Sequence, residues 1–264
     1  MNHRLSRKFR LLLIAAACTV VLAGVKFALH SLQLEGITLG SLHASVATGT
    51  FFVIGFLLSA TIADYKESEK IPAEFAATIE NMHEDARAIH HTYSAFDIDS
   101  FRLKLRQIII AFEADVRNST VEAHRHIHEL HDFFTAMETA KVPPNFIVKF
   151  KQEQAQLVKS LFRVSYIQRI TFIPSASILA QSIVALNVLL LLFTEVEPFY
   201  GGMALVAIIS FIFIYILLLL KVISTPFHRE GKTRDDVSLF LLSQTATRLD
   251  AKIASRKAKA AIAK

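Results

Sequence analysis

Four apolar runs, at about 11–30, 44–63, 172–193 and 203–223, stand in two pairs on either side of a long polar middle. Each reaches the ~20 residues that a helix rising ~1.5 Å per residue needs to cross a ~30 Å hydrocarbon core. This layout constrains the chain to an all-α membrane protein with four transmembrane helices. The lone cysteine, Cys18, lies inside the first run, so no disulfide framework exists and the thiol serves as a small hydrophobe. Glycine and proline are scarce, 8 and 6 of 264 residues, which favours long helices over sheet.

The net charge of +6 raises the question of a nucleic-acid partner, and the distribution of charge answers it. Arg4, Arg7, Lys8 and Arg10 precede the first run, 14 basic residues lie in 65–171, and 10 more follow from Lys221 onward. The connections at 31–43 and 194–202 contain no Lys or Arg and carry only the acids Glu35, Glu195 and Glu197. The positive-inside rule then places both termini and the middle segment in the cytoplasm of a multi-pass protein of the plasma or inner membrane. The bilayer is the expected partner, and nucleic acid is not. Lys26, near the far end of the first run, is expected to snorkel toward the headgroups.

The chain accordingly divides into 1–64 (N-terminal segment and spans one and two), a cytoplasmic helical region at 65–171, spans three and four at 172–223, and a cytoplasmic basic tail at 224–264. Within 65–171, Ile71, Phe75, Ile79, Met82, Ala86, Ile89, Tyr93 and Phe96 recur at helical spacing, with Pro72 expected in a first turn. A second stripe runs Phe101, Leu105, Ile108, Phe112 and Val116. A third helix opens on a capping box, Ser119-Thr120-Val121-Glu122, and carries Ile127, Leu130, Phe134 and Met137. The fourth, about 146–170, carries Ile147, Phe150, Leu157, Leu161 and Val164. Acids and bases balance there, 15 against 14, as in a folded helical layer. The tail from 251 is expected to be solvated, with contact to anionic lipid as the alternative.

Catalytic chemistry finds no foothold: there is no glycine-rich phosphate loop, no GxSxG and no carboxylate pair within the spans. No enzyme activity and no cofactor are expected. No metal site is expected either; the nearest approach is His124, His128 and His131, which share one face of a helix interleaved with Arg125 and Glu129. The second span is more informative. Ser45, Thr48, Phe52, Phe56 and Ser59 put small, hydroxylated and ring side chains on one face. Two roles suit them. Ser45xxxGly49 and Gly55xxxSer59 are small-residue patterns for close helix packing, and phenylalanine rings can form a hydrophobic constriction in a pore. The register is open by one residue, so Phe51 and Gly55 remain alternatives.

The run TGTFFVIGFLLSATIADYKESEKIPAEFAATIENM (48–82) resembles the bestrophin-like four-span membrane proteins, relatives of the bestrophin anion channels. Tyr65, Glu67, Glu69, Glu74 and Phe75 carry the match. A second match follows the last span, where Pro226-Phe227 resembles the family's Pro-Phe element, with Asp235-Asp236 nearby. The family's order of two spans, long cytoplasmic helices, two spans and a tail covers nearly the whole chain. The sequence departs from calcium-activated bestrophins in having no tryptophan, His228 after Pro-Phe, and no acidic run beyond the last span. The resemblance implies a bestrophin-like pentamer with an anion (chloride-type) pathway lined by the second span. It makes Thr48, Phe52, Phe56 and Ser59 neck candidates, and lets Lys26, His30 and His43 draw anions to the outer mouth. The alternative is a non-conducting membrane scaffold or sensor that binds a partner through its cytoplasmic helices.

Overall fold

The computed structural model describes residues 9–38, 40–94, 96–169, 174–227 and 236–262. Arg4, Arg7, Lys8, His228, Asp235 and Lys264 lie outside the described residues. Helices follow the apolar periodicity: α1 is Arg10–Ser31, α2 Ser41–Thr92, α3 Ile98–Asn118, α4 Glu122–His128, α5 Leu130–Thr139, α6 Pro144–Arg169, α7 Pro174–Leu192, α8 Phe199–Ile223 and α9 Phe240–Ile262. Two short strands, β1 (Ile37–Thr38) and β2 (Thr194–Glu195), pair in parallel with Ile37 opposite Thr194. Among the described residues four helices are long and apolar enough to cross a membrane: α1, α2 from His43, α7 from Ser175, and α8.

The described residues form two compact units. The first takes in those up to Tyr65 and those from 174 to Pro226; the second takes in those from Lys66 to 169, Phe227 and 236–262. In the first unit, Ile54, Val184 and Phe213 are buried together, and so are Leu191, Leu192 and Val206. Gly202 sits where α8 passes the 194–198 connection, and a Cβ there would meet Val196 Cβ at 2.7 Å. The surface left over on α1, α7 and α8 includes large apolar side chains, among them Leu13, Val20, Phe27, Ile178, Leu186 and Ile208, as a lipid-facing surface requires, and α7 exposes Ser175, Ser177, Gln181 and Ser182 beside them.

In the second unit every stripe read above is buried in one core, with Tyr93 at its edge. Phe75 stacks on Phe112 with ring centroids 3.9 Å apart, and Phe101 meets Phe96, Phe133 and Phe150 edge-on. Three local features differ from the sequence reading. Pro72 lies inside α2 rather than in a first turn, a position that forfeits one backbone hydrogen bond. The Ser119–Glu122 box is not the cap of α4; buried Asp115 accepts from the backbone N–H groups of Glu122 at 2.8 Å and Ala123 at 2.7 Å. The third helix is two, because the chain turns at Glu129 between α4 and α5. Beyond the last span, α9 packs Leu242 and Leu249 into the same core, with Arg106 paired to Asp250 and Lys252 to Glu84, while Ala251 and Ala254 are exposed.

Candidate functional site

Two side chains orient the membrane segment of α2. The Asn187 amide of α7 donates to Thr50 Oγ1 at 2.9 Å, and that hydroxyl donates in turn to Val46 O at 2.8 Å. Phe51 lies on Phe213 of α8, with centroids 4.5 Å apart. Thr50 and Ile54 are thereby buried against the other spans, and Thr61, whose hydroxyl donates to Leu57 O, is buried two turns further along. The opposite side is open: Ser45, Gly49, Phe52, Phe56, Ser59 and Ala63, spaced alternately by four and three, are all exposed, as are Thr48 and Gly55 beside them. Phe52 is 75% and Phe56 68% exposed, against 37% for Phe51. A Cβ added at Gly49 or Gly55 would meet nothing within 4 Å, so among the described residues the small-residue patterns pack against no helix.

This face differs from the rest of the span surface in composition. The exposed sides of α1 and α8 carry large apolar side chains such as Leu13, Val20, Phe27, Ile208 and Ile212, and that of α7 mixes Ile178, Leu179, Leu186 and Leu189 with Ser175, Ser177, Gln181 and Ser182; on α2, serine, threonine, glycine and alanine surround two phenylalanines. It carries no Asp, Glu, Lys or Arg from Ser41 to Ala63. A seam with alternating four- and three-residue spacing is the form helices take around a shared axis.

At the end of this unit where the two connections meet, charge is locked inward. Lys26 is only 1% exposed and does not snorkel. Its ammonium donates to Leu192 O at 3.1 Å and to Thr194 O, and it pairs with Glu35. Burial pushes the Glu35 carboxyl up, but the hydrogen bonds and charges of Lys26 and His30 outweigh it and hold the group below its ordinary 4.5. His30 Nδ1 meets Glu35 at 2.9 Å and its ring stacks on Phe199 at 3.9 Å; His43 Nε2 meets the Thr194 hydroxyl at 3.0 Å. Lys26 is thus neutralised rather than offered to solvent. The adjoining cleft of about 580 Å³ is lined by His30, Glu195, Val196, Glu197, Pro198 and Phe199, so two acids face one imidazole.

Solved structures share this architecture. A bacterial bestrophin homologue from Klebsiella pneumoniae, in a singly substituted form, matches with a TM-score of 0.79 over 92% of this chain and 99% of its own, at 13% identity. Another substituted form gives 0.76 over 93% and 98%, at 14% identity. The chain has the bestrophin fold. No protein-family model matches the sequence, and no curated protein does. With four apolar helices of spanning length in a bestrophin fold, the protein is an integral membrane protein.

The residues that carried the bestrophin resemblance occupy varied surroundings. Tyr65 is half-buried, Glu69 is exposed and pairs with Lys66 at 2.7 Å, Pro226 is buried, and Phe227 packs on the core of the second unit. That unit also holds two polar clusters the sequence did not reveal. His83 is fully buried: its Nε2 accepts from Arg102 Nε at 3.0 Å, while Nδ1 lies 3.2 Å from Glu84 and 3.3 Å from Lys252. Burial first, then the Lys252 and Arg102 charges, lower its pKa to about 4. Glu80, His83 and Glu84 converge closely enough for a metal, yet both His83 nitrogens are already engaged and two cations flank them, so the trio is poorly suited to one. In the second cluster Lys149 pairs with Asp85, and Glu153 lies one turn further along α6. Burial, with the Asp85 charge second, raises the Glu153 carboxyl to about 7.

The sequence placed His124, His128 and His131 on one face. The turn at Glu129 parts His131 from the other two, and these three do not converge; His131 lies by Phe134 instead. His124 and His128 remain together, with centroids 4.5 Å apart.

Proposed function

We propose that the protein is a bestrophin-like anion channel in which five copies surround an axis lined by the open face of α2. The single observation that carries this reading is the open face of α2, where small and hydroxylated residues at alternating four- and three-residue spacing surround two rings that are 75% and 68% exposed. Close approach of helices around a shared axis suits such a face better than lipid contact does. The bestrophin fold supplies the frame.

In this reading Phe52 and Phe56, about one turn apart, form a constriction that closes by dewetting. Ring edges carry partial positive charge, and the hydroxyls of Thr48 and Ser59 donate to an anion, so a dehydrated anion finds partners without a fixed positive charge. The distribution of Lys and Arg puts the second unit and both termini in the cytoplasm and the Lys26–Glu35 end outside. With Lys26 neutralised, anion preference rests on the face of α2 rather than on the mouth.

Chloride efflux from liposomes containing purified protein tests the reading. Phe52→Ala and Phe56→Ala are expected to raise efflux severalfold, and unchanged flux in both removes the rings from the pathway.

A further inference from the structure

We propose that His124 and His128 form a surface site for a divalent transition-metal ion of the nitrogen-preferring class, Cu²⁺ most strongly, with Ni²⁺ and Zn²⁺ behind it. The two residues stand one turn apart on α4, whose seven residues end where the chain turns at Glu129. Their rings approach to 4.5 Å between centroids at an interplanar angle of 70°. His128 is exposed, and His124 is half-buried with the Phe162 ring behind it at 5.4 Å.

Other histidines are committed elsewhere. His126 Nδ1 meets Glu129 at 3.2 Å, His90 Nδ1 meets Phe96 O at 2.7 Å, and His83, His30 and His43 are held as described above. Among the described residues no hydrogen bond or ion pair engages the ring nitrogens of His124 or His128, which leaves them free to ligate. The nearest cation in sequence, Arg125, is drawn to Glu129 at 3.2 Å.

Two imidazoles one helical turn apart can share one ion through a nitrogen each, with water filling the remaining positions. Nitrogen ligands favour Cu²⁺, Ni²⁺ and Zn²⁺ in the Irving–Williams order and offer nothing to Mg²⁺ or Ca²⁺, which seek oxygen. The ion would bridge successive turns of α4 and hold its last turn closed. This site stands apart from the pore reading and survives its failure.

The test is Cu²⁺ titration of full-length, chelator-stripped protein with any affinity tag removed, followed by calorimetry and by electron paramagnetic resonance. The expected result is one copper per chain with nitrogen hyperfine structure, competed away only by a large excess of Ni²⁺ or Zn²⁺ and indifferent to Mg²⁺. His128→Ala, at an exposed position, is expected to weaken binding roughly tenfold or more, a loss of about 1.4 kcal/mol. His124→Ala is expected to do the same, and His126→Ala and His131→Ala to leave affinity unchanged. No copper bound, affinity untouched by His128→Ala, or an equal loss with His131→Ala would each overturn the proposal.

Discussion

Asn187 on α7 and Thr50 on α2 form a buried hydrogen bond of 2.9 Å between two membrane spans, and Thr50 spends its own hydroxyl hydrogen on Val46 O. One face of α2 is thereby tied to its neighbours, which turns Phe52 and Phe56 away from the rest of the chain. Replacing Thr50 by Val keeps the shape and removes the acceptor. Thr50→Val is expected to cost about 1 kcal/mol, within the range for hydrogen bonds between membrane helices. Thermal unfolding of the purified protein, compared with wild type and with Thr48→Val on the open face, measures it; Thr48→Val should cost little.

Lys26 makes a second prediction. It fills two carbonyls at the end of α7 and the Glu35 carboxylate while almost wholly buried. Removing one member of such a pair strands the other, at a cost of about 3–5 kcal/mol. Lys26→Met is therefore expected to lower the melting temperature strongly, and Lys26→Met combined with Glu35→Gln to recover part of the loss. Equal melting of the single variant and wild type would contradict the pairing.

A pH dependence follows from Glu153. The folded chain holds its proton up to about pH 7, whereas the unfolded chain releases it near 4.5. This contribution to stability is therefore complete below pH 4.5 and lost as pH rises through 7. Partial exposure reduces it to the order of 1 kcal/mol, or roughly 2–4 °C in melting temperature. Between pH 5 and 8 the wild-type protein should lose that much more than Glu153→Gln, which stays neutral throughout. Identical pH profiles for the two would remove Glu153 as the source.

Much of the fold is legible in the amino-acid sequence. The four spans and every core stripe of the second unit follow from run length and from three- and four-residue spacing, both local signals. What stayed hidden depends on distant or competing groups. Lys26 read as a snorkelling cation because its partners lie at Glu35 and at 192–194, the latter far along the chain. The cap of α4 was misassigned because Asp115 reaches forward from the preceding helix and outcompetes the local Ser-Thr-Val-Glu box. The break at Glu129 was invisible because Ile127, Leu130 and Phe134 keep helical spacing across it. Pro72 pointed to a helix start, yet α2 runs through it. On the second span, the choice between Phe51 and Phe52 needed Phe213, which only the folded chain brings near.

Native mass spectrometry of the detergent-purified protein tests the central claim, that the open face of α2 closes around a shared axis. The account predicts a mass of five 29.5 kDa chains, kept across several mild detergents. A stable monomer or dimer in all of them would contradict it.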